Sequence, residues 1–309
     1  MPEEKATSRK NSGRQRVIPY DKFVALVQKV LGDYPNIRVT IRQIFYRFVS
    51  QGLLMSTQNS YKRFDKYLVE ARDKGDIKWY LIADHTRYVY DLEKEIMNWQ
   101  PAKEYVGDCF RGFLDCKSWY DLKFWDDQPV FLEVWVEKEA LIKLVYDACQ
   151  RRRVLNTAIR GQDSQTHVRE AVERMRKRSQ KTFILYIGDL DFHGNKIEES
   201  VQQRLKQYGG EHKLEGFTRI ALTKEQTEEY NIPIFTDKKG RPKQEVDALK
   251  PDDLQRIIEE AIEQHIDMNV WEETEDFIES MKQEVGELVN KLPHIQEITD
   301  FLNKQEKKE

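Results

Sequence analysis

Apolar residues recur at helical spacing three times near the start of the chain. Phe23, Val24, Val27, Val30 and Leu31 share one face of a segment over 21–31, which Gly32 and Pro35 stop. A second helix is predicted from Thr40, a good N-cap residue, to about Gln51, before Gly52. A third runs from Asn59 or Ser60 to about Asp73, before Lys74 and Gly75. Residues 77–90 then alternate enough to read as a short hairpin. Residues 91–127 are acidic and tryptophan-rich, and read as a helical connector. From 130 the texture changes. PVFLEVWVE, VLNTAIRG, KTFILYIGDLD and LEGFTRIAL read as strands, separated by helical segments of 10–15 residues. That alternation predicts βαβ units and a parallel sheet covered on both faces. Beyond residue 236 the pattern is helical and acidic.

Composition sharpens this outline. The chain has 309 residues, enough for about two domains. No stretch approaches the roughly 18–20 apolar residues of a membrane span, and MPEEKATSRKNSGRQR lacks the apolar centre of a secretory signal. Three cysteines without a CxxC fit a reducing cytoplasm and argue against a disulfide scaffold or a thiolate zinc site. Residues 1–90 carry 17 Lys/Arg against 9 Asp/Glu, and the remainder 34 against 45. A basic first third on an acidic remainder suggests that the first part meets a polyanion. Residues 1–17 read as a flexible basic arm with Arg9, Lys10, Arg14 and Arg16. Three short helices followed by a hairpin is the order of a winged helix over 18–90, with the third as recognition helix. That helix would present Lys62, Arg63 and Lys66 to DNA phosphates.

Two predicted strands end in acid, one at Glu137 and one at Asp189-Leu190-Asp191. Ligands of parallel sheets sit at the carboxyl ends of the strands. In an extended segment, positions i and i+2 point the same way, so Asp189 and Asp191 could share a cation. Three carboxylates at one sheet edge would make a hard oxygen site for Mg²⁺. Each acid could instead cap the helix that follows it. A glutamate after one strand and a DxD after a later one, then Gly194, resembles the Toprim domain of topoisomerases, primases and related nucleases. AIRGQDSQT is similar to the glycine-centred loop of that domain, with Arg160 at its turn. The resemblance gives a Toprim domain over 128–235, followed by an acidic helical extension over 236–309. Glu245 and Asp247 precede the helix start at Pro251, and an added metal role for them stays open.

The segment TIRQIFYRFVSQG carries a second constellation. Ile41, Ile44, Phe45, Phe48 and Val49 form one apolar stripe, and Tyr46 lies about 130° from its centre, with Arg42 one turn earlier on the same outer face. A guanidinium beside a phenol favours the phenolate and also holds a phosphate bidentately. Packing of Tyr46 against a neighbouring domain is the alternative. The run Arg42-Gln43-Ile44-Phe45-Tyr46 on a winged helix, followed by VEKEAL and GDLDFHG, resembles the A subunit of topoisomerase VI and the related meiotic double-strand-break transesterase. It is most similar to small stand-alone A-like proteins of archaea, bacteria, plasmids and phages. The resemblance spans about residues 20–225. Phe192-His193-Gly194 departs from the proline and aromatic often found before the glycine.

The resemblance implies an α/β protein that cleaves double-stranded DNA by tyrosine transesterification. Tyr46 would be the nucleophile, joined to a 5′ phosphate, and Arg42 a basic active-site residue that holds the phosphate. Glu137, Asp189 and Asp191 would hold Mg²⁺, for which Mn²⁺ may substitute. It also implies a homodimer in the cytoplasm of a prokaryote. Strand passage with turnover would need a separate ATPase subunit, of which this chain shows no segment. A Toprim nuclease using water and a non-enzymatic winged-helix DNA-binding protein are the rival expectations.

Overall fold

The computed structural model describes residues 18–35, 37–83, 99–159, 165–237 and 239–306. Helices α1 (Tyr20–Gly32), α2 (Ile41–Ser50) and α3 (Gln58–Asp73) form close to the predicted bounds. Thr40 caps α2 in a capping box. Its hydroxyl accepts from Gln43 N–H at 3.2 Å, and Gln43 Oε1 accepts from Thr40 N–H at 2.8 Å. Such a cap contributes about 1 kcal/mol and fixes where the tyrosine helix begins. Phe23, Phe48 and Phe64 interlock between the three helices, with ring centroids 5.1–5.8 Å apart.

The expected hairpin takes a different course in its described part. Residues 79–81 make a 3₁₀ turn, and β2 (Ile82–Ala83) pairs in parallel with β1 (Val39–Thr40). The rest of the hairpin, residues 84–90, lies outside the described residues. So do the basic arm with Arg9, Lys10, Arg14 and Arg16, the turn residue Arg160, and residues 91–98 of the connector. The described remainder of the connector contains α4 (Ala102–Leu114).

The second half of the chain is an α/β structure. Strands β3 (Phe131–Val136), β4 (Leu155–Ala158) and β5 (Thr182–Ile187) alternate with α5 (Ile142–Gln150) and α6 (Gln165–Arg176). Then follow β6 (Leu190–Asp191), α7 (Phe192–Gln207), β7 (Leu214–Ala221) and α8 (Lys224–Glu229). One sheet has the order β4-β3-β5-β7, parallel throughout. Leu132, Val134 and Val136 join a core shared with α5, the N-terminal helices and a later helix. Trp135, Ile184 and Tyr186 face the opposite core, with residues of α6 and α7. Both faces are covered, which accounts for the largely apolar run of β3; its one charged residue, the buried Glu133, accepts from Trp135 Nε1 at 2.8 Å and lies 3.2 Å from Arg174.

Two departures matter for the site. KTFILYIGDLD was expected as one strand. It breaks at Gly188, so that β5 ends at Ile187 and β6 pairs antiparallel with β9 (Pro242–Gln244). The region after 235 also does not begin as helix. β8 (Phe235–Thr236) and β9 form a small sheet with β6, and a 3₁₀ turn follows at Val246–Ala248. Only then come α9 (Pro251–Glu263), α10 (Met268–Asn290) and α11 (Ile295–Glu306), as the acidic pattern predicts. α9 packs on α5 and β7, closing one face of the parallel sheet. Among the described residues no helix is long and apolar enough to cross a membrane.

Candidate functional site

The residues singled out on the tyrosine helix and at the strand ends come together in one place. The bridge between them is the segment 235–249. Tyr46 points away from the three-helix core, as its angular position predicts, but it is only 5% exposed. Its ring packs on Phe235, with centroids 5.3 Å apart, and its hydroxyl hydrogen-bonds to Glu245. Arg42 stays half open to solvent and reaches Glu245 at 3.7 Å. A cleft of about 410 Å³ lies over them, lined by Arg42, Tyr46, Lys62, Lys243 and Glu245 together with Ser56 and Thr57 at the start of α3.

Behind Glu245 sits a dense charge cluster. Lys138 Nζ lies 2.8 Å from Asp189 Oδ1 and 3.2 Å from Glu245 Oε2, and it also contacts Asp247 Oδ2. Lys243 lies 2.9 Å from Glu245 and 3.6 Å from Asp191 Oδ2. Asp189 Oδ1 accepts from Val246 N–H at 2.9 Å. Glu137 Oε2 accepts from Asp189 N–H at 3.1 Å, joining the two strand ends. Backbone packing here leaves no room for side chains at two glycines. A Cβ on Gly188 would sit 2.8 Å from the Tyr186 hydroxyl and 2.9 Å from Glu137 Oε2, and one on Gly194 would run into the Asp189 carbonyl.

The electrostatics follow from burial and these partners. Burial and the nearby Asp189 push the Glu137 carboxyl up to about 7. Burial also raises Asp189, against the pull of Lys138. Glu245 is buried too, yet Lys138, Arg42 and the Tyr46 hydroxyl hold it well below the usual carboxylate range. Burial, and then the charge of Glu245, push the Tyr46 phenol far above its ordinary value, outweighing Lys138 and Arg42. Arg42 does pull the phenol down, as expected, but burial and Glu245 outweigh it. In this arrangement Arg42 faces Glu245, and Tyr46 is held as a neutral phenol.

Asp189 and Asp191 take different partners. Asp189 turns to Lys138 and Val246. Asp191 caps α7, its Oδ1 accepting from His193 N–H and Gly194 N–H, both at 2.7 Å. Of the three strand-end acids Asp189 is buried, 4% exposed, whereas Glu137 and Asp191 are half-buried; Asp247, on the far side of Lys138, is 1% exposed. As donors they suit Mg²⁺ or Mn²⁺, being hard oxygens in charge excess, with Asp247 Oδ1 buried and unpartnered among the described residues. Among those residues no three side chains form a ready-made metal-holding group, and Lys138 stands between the acids.

Sequence reasoning missed Lys138, Lys243 and Arg219. Arg219, on β7, donates to the carbonyls of Gly188 at 3.0 Å and Asp189 at 3.1 Å while paired with Glu198, so it braces the strand end that carries Asp189. On α3, Lys62, Arg63 and Lys66 are all exposed, and Lys62 lines the cleft.

Two predictions arise here. Glu137 keeps its proton in the folded chain between its ordinary carboxylate value and about 7. Its destabilising effect is therefore absent below about pH 4.5, grows as pH rises, and is complete above about pH 7. Without divalent cations, Glu137→Gln should remove up to about 3 kcal/mol of this pH-dependent loss, with the gain in Tm seen at pH 8 and not at pH 4.5. Mg²⁺ should raise the wild-type Tm at pH 8 more than that of the variant. The second prediction concerns α3. Charge reversal of Lys62, Arg63 and Lys66 together should weaken DNA binding across sequences and flatten its salt dependence by about 0.9 per lost phosphate contact. Unchanged binding in a filter or anisotropy assay would remove α3 from the DNA interface.

The chain matches no protein-family profile, and no curated protein or solved structure is significantly similar to it.

Proposed function

We propose that this chain is a divalent-cation-dependent DNA-cleaving transesterase, built from a winged-helix unit and a Toprim unit. The observation that carries the reading is the continuous polar path from Tyr46 through Glu245 and Lys138 to Asp189 and Glu137. A buried phenol needs one partner for its hydroxyl; here that partner is itself joined through Lys138 to the acids at the strand ends. Tyr46 Oη forms a bond to a backbone phosphorus as the bond from phosphorus to the 3′ oxygen breaks, leaving a 5′-phosphotyrosyl link. Glu245 faces the phenolic proton but is too strong an acid here to keep it, so that proton ends on the departing 3′ oxygen. Arg42, Lys62 and Lys243 surround the cleft and would hold the phosphate oxygens. Glu137 and Asp189, with Asp191 beside them, would hold Mg²⁺ or Mn²⁺, which when bound supplies stabilisation of charge on the phosphate. The covalent link conserves the phosphodiester energy, so resealing needs no ATP. Double-stranded DNA in the cytoplasm is the proposed substrate, and a separate ATPase is needed only for turnover coupled to strand passage.

The burial of Tyr46 supports a second reading, in which water cleaves the DNA and the tyrosine only packs against Phe235. One experiment separates the two. Supercoiled DNA is incubated with the protein and Mg²⁺ or Mn²⁺, then quenched with SDS, with and without protease. Nicked or linear DNA that carries protein until proteolysis is the expected result. Protein-free ends favour the water nuclease, and intact DNA in either metal overturns both.

A further inference from the structure

Lys138 follows Glu137 in sequence, yet its ammonium is spent on other acids. Its neighbours are Asp189 Oδ1, Glu245 Oε2 and Asp247 Oδ2, drawn from two stretches more than fifty positions apart. Three carboxylates around one small cation describe a cation position, and an ammonium with three donors satisfies it as a point charge. Asp247 is 1% exposed, and its second oxygen has no partner among the described residues. A polar atom so buried and unpaired is costly unless something outside the chain reaches it. Charge points the same way. The five acids Glu137, Asp189, Asp191, Glu245 and Asp247 face the three cations Lys138, Lys243 and Arg42, which leaves a formal charge of −2. A single divalent ion balances that, whereas a second would leave +2, against +1 once the Lys138 charge is removed.

We propose that Lys138 is a resident cation: its ammonium fills one of two cation positions in the cluster, so the chain takes one divalent ion rather than two. The filled position is walled by Asp189, Glu245 and Asp247. The open one lies toward Glu137 and Asp191, with Asp189 between the two. Replacing Lys138 with an uncharged side chain of similar length should open the filled position to a second ion. The inference rests on the reading that these acids hold a divalent cation, but it concerns ion number rather than cleavage.

The test uses the full chain, freed of metal, with Mn²⁺ as probe and no DNA. Free Mn²⁺ is followed by electron paramagnetic resonance during titration of the wild type and Lys138→Met. The wild type should bind one Mn²⁺ and the variant two, and Lys138→Met with Asp247→Asn should return to one. Thermal unfolding gives the second readout. Lys138→Met should melt below the wild type without metal and recover in Mn²⁺, by more than the wild type gains. Equal ion numbers in the two proteins overturn the inference, as does a wild type that binds two. A variant that stays unfolded at saturating Mn²⁺ overturns it too, since the ion should take over from the ammonium. If the wild type forms a covalent DNA adduct while Lys138→Met gains no ion, the inference alone fails. If the variant gains an ion while the wild type forms no adduct, the cleavage reading alone fails.

Discussion

Tyr46→Phe should form no covalent protein–DNA adduct, with cleavage reduced by about 10⁴-fold or more, the scale expected when a nucleophile is lost. The fold should survive the change. Phenylalanine keeps the ring that packs on Phe235, and it loses only the hydroxyl that donates to Glu245. Glu245 is not orphaned by that loss, because Lys138 and Lys243 remain within 3.2 Å and 2.9 Å. A shift of only a few degrees in Tm is therefore expected, alongside an all-or-none effect on the adduct. The SDS assay on supercoiled DNA, run with and without protease, measures the chemistry, and calorimetry on the same sample measures the fold. A Tyr46→Phe protein that cleaves at the wild-type rate and leaves protein-free ends would assign the chemistry to water.

The second large effect concerns which chain completes the site. The resemblance to topoisomerase VI A subunits implies a two-fold dimer with each tyrosine facing the partner's metal. Here the Tyr46 hydroxyl meets Glu245 of its own chain, and Lys138 links that carboxylate to Asp189 at 2.8 Å. Both halves are thus within reach of each other inside one polypeptide. Mixing Tyr46→Phe with Glu137→Ala should therefore yield no cleavage, even after subunit exchange, because each chain lacks one half of its own site. Differently tagged chains establish whether mixed assemblies form. Nicks with covalent adducts in the mixture would show that a tyrosine serves a partner's carboxylates, and that the resting contact with Glu245 opens on DNA.

Much of this arrangement is legible in the sequence where local rules decide. Thr40 with Gln43 three positions later announces the start of α2, and the heptad-like apolar stripe fixes which way Tyr46 points. The apolar run of β3, interrupted only by Glu133, announces a strand buried on both faces, with Glu137 just past its end. What the sequence does not reveal are contacts between remote, short elements. β8 has two residues and β9 three, too few for any periodicity to register. Yet this segment carries Lys243, Glu245 and Asp247 into the cluster. Lys138 meets Asp247 across 109 positions, so nothing local marks it as more than the residue after a glutamate. Asp191 is the reverse case, since a short acid before a helix reads equally as a ligand or a cap, and its observed hydrogen bonds are those of a cap.

The strap formed by residues 235–249 has a bearing on the order in which the protein is made. Asp189 receives its hydrogen bond from Val246, 57 positions further along the chain, and Arg47 on the tyrosine helix holds the carbonyl of Ala248. A ribosome therefore releases the tyrosine helix and both acidic strand ends well before the piece that encloses them. In that interval Asp189 lacks the Val246 N–H and the charges of Glu245 and Asp247, and the phenol of Tyr46 has no Glu245 to hold it. The unusual charge state of the cluster is thus a late acquisition of the growing polypeptide, switched on when its last strand docks.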